Sequence, residues 1–409
     1  MADVSVLEVQ LYGKTIGNLT HVQGERTLFS FTDAYIADER RPTLSLSFKD
    51  EFGELVTDVR PTRRRVPPFF SNLLPEGHLR EYLAERAGVN PEREFFLLWI
   101  LGRDLPGALT IRPADGEAWP PEPEEETEEE KAARRGNILR FSLAGIQLKF
   151  SALKDGRKNR GLTIPAEGVG GSWIVKLPSA RFEGVPENEF AMMHLASLIG
   201  IDVPDIDLID LESIDGLPGE LAALKGSAFA ISRFDRSSDG PVHIEDFAQV
   251  FGVFPEGKYG KANYRNVATV LGIETGEDGI SDFVRQLVFS VLIGNGDLHI
   301  KNFSLIYRDR RTPALSPAYD LVSTIPYIKD DNAALKFVRT KRFDKFTFDE
   351  LSYLAGKAGL AEKPVLDVAK DTITRFLDVW NVEKTHLPQA AEVTQAIDDH
   401  LKTLTIMKG

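Results

Sequence analysis

Gly294-Asn295-Gly296-Asp297-Leu298-His299-Ile300-Lys301-Asn302 places an aspartate and an asparagine five apart, directly after the apolar run Phe283 to Ile293. A strand-like stretch, Phe303-Ser304-Leu305-Ile306-Tyr307, follows, then a turn at Asp309-Arg310-Arg311 and a second carboxylate in Tyr319-Asp320-Leu321. Helix, loop, strand and downstream aspartate together have the layout of a kinase catalytic loop. In that layout Asp297 orients the attacking hydroxyl and accepts its proton, while Asn302 and Asp320 hold Mg²⁺ on the phosphates of ATP. An Asx turn with an unrelated surface aspartate would explain the Asp-Asn pair alone. It does not explain the ordered flanking elements. His299 and Lys301 are expected to line the same pocket, with Lys301 offering positive charge near the transferred group.

Upstream, residues 137–236 read as a mostly β small lobe. Ile138 to Phe141 and Leu148 to Leu153 are strand-like, and the loop Ser142 to Gln147 lies between them. Ser142, Ala144 and Gly145 stand where backbone N–H groups would cover nucleotide phosphates, although no Gly-x-Gly-x-x-Gly is present. Ser172 to Pro178 is a further strand carrying Lys176 in an apolar run, and Pro186-Glu187-Asn188-Glu189 opens a helix. A strand lysine followed by a helix glutamate matches the kinase Lys–Glu pair, with Lys176 on the α- and β-phosphates. Phe229 to Phe234 is expected to be the interlobe strand, placing Ser232 and Phe234 at the adenine. Lys149 and Tyr319 are expected to border the nucleotide. Residues 237–409 read as a helical large lobe, with runs at Phe348 to Ala358, Pro364 to Trp380 and Ala390 to Leu404. The fold class expected is α+β, a protein-kinase-like two-lobed arrangement with an extra N-terminal α+β subdomain.

That subdomain spans residues 1–112. Val6 to Tyr12 and Thr15 to Leu19 form a hairpin around Gly13-Lys14, Leu44 to Phe48 reads as another strand, and helices follow at His78 to Ala87 and Pro91 to Leu101. Residues 113–136, with their acidic, proline-rich core, cannot bury apolar area and read as a linker. Arg60, Arg63, Arg64 and Arg65 form a basic patch read as a solvated loop. The chain has 409 residues, enough for two or three units. It has no cysteine, which excludes disulfides and thiol chemistry and suits a cytoplasmic address. No apolar run reaches membrane-spanning length. The net charge of −13 argues against DNA binding by the chain alone and is compatible with a basic partner. Gly252-Val-Phe-Pro-Glu-Gly-Lys258-Tyr259 mimics a Walker loop, but Tyr259 stands where the Mg²⁺-binding hydroxyl belongs and Glu256 would face the phosphates. The seven histidines show no zinc-protease spacing.

Several stretches resemble motifs of the HipA family of bacterial toxin kinases: Ser142 to Lys149, Ile174 to Pro178, Asn188-Glu189-Phe190 and Arg233-Phe234-Asp235-Arg236. So do Glu245-Asp246-Phe247-Ala248-Gln249, Lys258-Tyr259, and Asp297 to Ser304 with Tyr319-Asp320. The N-terminal stretches Phe69 to Glu76 and Gly102-Arg103-Asp104 are similar as well. The resemblance implies a serine/threonine protein kinase using ATP and Mg²⁺, toxic unless bound by a small helix-turn-helix antitoxin of the HipB kind. It implies operator DNA contact only through the antitoxin complex, an aminoacyl-tRNA synthetase as substrate, and autophosphorylation of Ser142. Leu298 departs from the small residue frequent at its position, and Ser232 from the glutamate frequent in the hinge. A rival reading is a small-molecule phosphotransferase of the aminoglycoside or choline kinase type, whose loop Gly296-Asp297-Leu298-His299-x-x-Asn302 also resembles. That rival has no use for the N-terminal unit. A catalytically dead, antitoxin-binding scaffold is a third, disfavoured by the presence of Lys176, Asp297, Asn302 and Asp320 together.

Overall fold

The computed structural model describes residues 5–116, 149–154, 162–163, 171–179, 181–215, 217, 224–329 and 331–408. Ile138 to Phe141, and Ser142, Ala144 and Gly145 of the expected phosphate loop, lie outside them, as does most of the expected linker.

The N-terminal region is built on a five-stranded antiparallel sheet in the order β4-β3-β2-β1-β5. The strands are β1 (Ser5–Leu11), β2 (Lys14–Val22), β3 (Arg26–Phe31), β4 (Thr62–Arg63) and β5 (Leu109–Pro113). Tyr12 and Gly13 both take positive φ, 52° and 74°, the conformation a two-residue hairpin turn requires. Helices Gly77–Arg86 and Glu94–Leu101 follow, the second opening three residues later than its pattern suggested. Leu44–Phe48 is not a strand. Leu46–Phe48 forms a 3₁₀ turn, because the Ser45 hydroxyl accepts from Ser47 N–H at 3.0 Å and turns the chain locally.

A second, six-stranded sheet runs β10-β7-β6-β8-β11-β9. It comprises β6 (Lys149–Lys154), β7 (Leu162–Thr163), β8 (Trp173–Lys176), β9 (Ile206–Asp210), β10 (Ile214–Asp215) and β11 (Ser227–Ser232). Helix Val185–Leu198 packs against it, burying Ala191, Met192, Met193, Leu195 and Ala196. A short ribbon, β12 (Arg236–Ser237) with β13 (Gly240–Pro241), leads to a three-stranded sheet of β14 (His243–Asp246), β15 (Ser304–Tyr307) and β16 (Ala314–Leu315).

The remainder is helical: Tyr264–Glu274, Gly276–Leu292, Phe348–Ala358, Glu362–Glu383 and Ala391–Thr403. Gly276–Leu292 is the axis of the core, with Phe283, Leu287, Val288 and Phe289 buried on its inner face. Phe289 meets Phe376 edge-on, and Phe376 stacks on Trp380. Truncating either ring of that pair would cost about 3–5 kcal/mol. This packing fixes the point at which the chain leaves the helix, and so where the loop after Leu292 begins.

Candidate active site

Ile293 ends the helix, and Gly294, at φ +66°, turns the chain into the loop with its Cα against the side chain of Ile325. At Gly296 a Cβ would collide with the carboxylate of Asp331. Gly294 is thus favoured by its left-handed backbone, and a side chain at Gly296 would have to displace the Asp331 carboxylate. The loop is then pinned by its backbone. Gly296 N–H donates to the Thr324 hydroxyl at 2.8 Å, and Thr324 in turn bonds Asp331 at 2.5 Å. Asp297 N–H donates to Asn295 Oδ1, and the carbonyl of Asp297 accepts from Asn302 Nδ2, each at 2.9 Å. Tyr264 and Tyr319 donate their phenols to the carbonyls of Leu298 and Lys301, both at 2.9 Å. Asp297 thus stands at the cleft with its backbone locked from both sides.

Lys176 is buried on β8, and its ammonium bridges Glu189 of the helix Val185–Leu198 and Asp320. Burial alone would lower the lysine pKa. The two carboxylates outweigh it and hold the group well above the ordinary lysine range, fully cationic. Asp320 has φ 55°, a left-handed conformation that aspartate tolerates better than most residues. The structure therefore groups Lys176 with Glu189 and Asp320, and Asp297 with Asn302, and His299 feels the charges of both Asp297 and Asp320. His299 is buried beside Asp297, and burial lowers its pKa despite the neighbouring carboxylate, so it is neutral; its Nδ1 has no partner among the described residues. Asn302 uses its amide nitrogen on Asp297, leaving its amide oxygen as a hard donor.

Other expected positions take different parts. Tyr319 stands 5.6 Å ring to ring from Phe234, which places both between the interlobe strand and the loop. Ser232 N–H is committed to Asp205 O and Arg233 N–H to Ser172 O, each at 2.8 Å, so neither amide can read an adenine edge. Lys149 lies on β6, paired with Lys176 in register. The ammonium of Lys301, expected beside the transferred group, is held elsewhere: by Asn72 Oδ1 and Asp246 Oδ2, each at 2.9 Å, and by the Asn72 carbonyl at 3.1 Å. It braces the loop against the N-terminal subdomain.

That bracing brings in residues whose roles were not anticipated. Glu76 reaches Lys258 at 2.9 Å and Lys301 at 3.5 Å, and burial notwithstanding, the two lysines keep it ionised. The phenol of Tyr259 donates to Asp297 Oδ1 at 2.5 Å, with its ring edge-on to His299. The sequence offered a hint only in the adjacency of Lys258 and Tyr259. The Walker-like segment around them is no phosphate cradle, because Glu256 pairs with Arg65 and Lys258 with Glu76. Of the basic patch, Arg65 is thus a contact to the large lobe, while Arg60, Arg63 and Arg64 are exposed.

A second seam joins the N-terminal region to the interlobe segment. Arg233 and Arg236 both pair with Asp104 and Asp235, at 2.8 to 2.9 Å, and Gly107 N–H donates to Asp235 at 2.7 Å. A third buries Glu245, which accepts from Ser45, Leu46 N–H and Tyr307. Burial pushes its pKa up to about 7, against the pull of these donors.

Comparison with known proteins follows the same division. Residues 7–112 match the family model described as HipA N-terminal domain, and residues 141–380 the one described as HipA-like C-terminal domain. A Sinorhizobium fredii protein named "Putative kinase Y4dM" is 60% identical over 409 residues, covering 100% of this chain and 99% of that one. The serine/threonine-protein kinase toxin HipA of Shewanella oneidensis is 27% identical over 367 residues, 80% of this chain and 77% of that one. A solved complex of Shewanella oneidensis HipA, HipB and operator DNA contains a chain of the same fold. It superposes with TM-score 0.73 at 21% identity, over 97% of this chain and 96% of that one.

Proposed function

The chain belongs to the HipA family, and we propose that it is a Mg-ATP-dependent serine/threonine protein kinase, the toxin of a HipBA-type toxin–antitoxin pair. The observation that carries this reading is the bridge of Lys176 to Glu189 and Asp320, together with an Asp297 whose backbone is locked by Asn295 and Asn302. Phosphoryl transfer asks a protein for position and electrostatics more than for covalent chemistry. In this cleft Lys176 binds the α- and β-phosphates, and Asp297 accepts the proton of the acceptor hydroxyl. Asn302 and Asp320 supply two hard oxygen donors, a set that suits Mg²⁺, which keeps several waters and takes its remaining ligands from phosphate. Bound there, the ion would neutralise charge on the β- and γ-phosphates. His299, Phe234, Tyr319 and Lys149 line the nucleotide side, and Lys301 positions the loop.

The acceptor is a protein of the translation machinery, with an aminoacyl-tRNA synthetase as the first candidate. A HipB-like helix-turn-helix antitoxin is the partner, and operator DNA is reached through that complex. No helix among the described residues is long and apolar enough to cross a membrane. Ser142 is the autophosphorylation site. A phosphoserine adds about −1.5 to −2 charge and would be repelled by the nucleotide's phosphates, removing the loop's donors and switching the kinase off.

The test is incubation of the purified chain with labelled ATP, Mg²⁺ and cell lysate, followed by identification of the labelled proteins and of phosphate on Ser142. Label in a protein band that disappears with Asp297→Ala is the expected result. Label passing only to aminoglycosides or choline would overturn the protein-kinase reading. Ser142→Asp should bind ATP poorly; wild-type affinity in that variant would remove the proposed switch. Expression without antitoxin should arrest growth, and the arrest should vanish in Asp297→Ala. Arrest by a turnover-dead chain would point to a binding function instead.

A further inference from the structure

The phenol of Tyr259 sits on Asp297 Oδ1 at 2.5 Å. A carboxylate acting as base must receive the acceptor's O–H within hydrogen-bond reach, the same kind of contact on the same group. We propose that Tyr259 is an acceptor-site residue whose phenol holds the place of the acceptor hydroxyl on Asp297 until an incoming serine or threonine displaces it. The inference rests on the kinase reading above and adds to it the residue that an acceptor must meet first.

Three features favour a placeholder over a prop for the base. Asp297 does not need the phenol to hold its backbone in place: its N–H and carbonyl are already tied to Asn295 and Asn302. Tyr259 is 43% exposed, touching His299 by one ring edge at 5.0 Å, so it can leave without opening a core. Its segment belongs to no sheet. Turn bonds from Gly257 N–H to Phe254 O and from Gly260 N–H to Gly257 O shape it, and a side chain at Gly260 would meet open space. Several contacts set the segment's position, among them Arg65 to Glu256 at 2.8 Å, Lys258 to Glu76 of the N-terminal subdomain at 2.9 Å, and Lys341 Nζ to the Tyr259 carbonyl at 3.4 Å. The N-terminal subdomain thereby governs how readily the phenol gives way.

The experiment compares the full-length wild type with Tyr259→Phe, using Mg-ATP and a mixed serine-containing peptide library as acceptor. Losing one hydrogen-bonded competitor should lower the apparent KM for peptide about three- to tenfold and leave kcat within about twofold. The KM for ATP should not move. Peptide binding without turnover, read by fluorescence anisotropy, should tighten by the same factor. Lys258→Met should move the peptide KM in the same direction by less. A kcat lowered about tenfold or more at unchanged KM would make the phenol a support of the base and overturn the proposal. Unchanged peptide binding would also overturn it, as would mass-spectrometric detection of phosphate on Tyr259, which would make it an acceptor. A wild type that labels no protein or peptide sinks the kinase reading alone, since the binding arm still decides on Tyr259.

Discussion

In the proposed kinase, the nucleotide side and the acceptor side of the site are built on different plans. On the nucleotide side, Lys176, Glu189 and Asp320 form a compact charge cluster, Lys176 and Glu189 being buried between a strand and a helix. On the acceptor side, Asp297 meets Tyr259 on a turn-rich segment, and Lys258, Lys301, Glu76 and Asn72 join that segment and the loop to another subdomain. The first plan gives rigid chemistry common to any acceptor. On the proposed reading, the second would leave the geometry of the acceptor adjustable through contacts made from another subdomain.

The largest effect expected falls where the two sides meet. Asp297→Ala should reduce phosphoryl transfer by roughly 10³-fold or more while leaving ATP affinity within a few-fold. Near-normal turnover would dissolve the distinction, because the base would then lie elsewhere. Asp320→Ala and Asn302→Ala should instead weaken Mg²⁺-dependent nucleotide binding, read by titration calorimetry with and without the ion.

Next in size is the buried cluster itself. Lys176→Met takes the ammonium away from the buried Glu189 and from Asp320, which should lower Tm together with ATP binding. Adding Glu189→Leu should recover much of the Tm and none of the activity. Recovery of both would mean that the cluster serves folding alone.

The bracing contact should give a smaller, one-sided effect. Asn72→Ala removes the side-chain contact from Lys301 together with the Nδ2 bonds to the Pro68 and Val253 carbonyls, and should lower kcat/KM for a protein acceptor by about tenfold. Its ATP affinity should be that of the wild type. Equal losses on both sides would show that the two plans are mechanically one.

The smallest effect concerns pH. The raised pKa of Glu245, about 7, means that the protein takes up a proton there on folding. Stability from this group is fully present below the unfolded carboxylate range and is lost as pH rises through about 7. His243, buried and lowered to about 4, works in the opposite sense. Its stability is present above the unfolded imidazole range and is lost as pH falls toward about 4. Thermal unfolding of Glu245→Gln should therefore lose less Tm than wild type between pH 6 and pH 8. An unchanged slope would reject the assignment.

Much of the nucleotide side was legible because its parts lie in regular elements with strong local patterns. The strand around Lys176, the helix carrying Glu189 and the loop from Asp297 to Asn302 follow from apolar runs and loop residues alone. The acceptor side was not legible in this way. Asn72 and Lys301 stand far apart in the chain, and nothing local to Phe69 to Glu76 says that its polar residues face a catalytic loop. Leu44 to Phe48 shows the same limit in small. Its alternation suits a strand, but the Ser45 hydroxyl competes for the backbone, and Glu245, about two hundred residues away in the chain, accepts from that hydroxyl. Lys301 was read as a charge for the phosphate because the partners that draw it aside come from another subdomain.

The Asp104–Arg233–Asp235–Arg236 cluster bears on how the chain can be cut. The acidic stretch after residue 116 invites a break there, to express the catalytic part by itself. Such a fragment would lose Asp104 and the Leu105 and Gly107 carbonyls, leaving two guanidiniums to share the single carboxylate of Asp235 beside the hinge. It would also take Asn72 away from Lys301, leaving Asp246 to hold that ammonium. Modularity suggested by composition is thus denied by electrostatics, and a clone begun at the linker should yield aggregated protein unless residues 1–116 are supplied in trans.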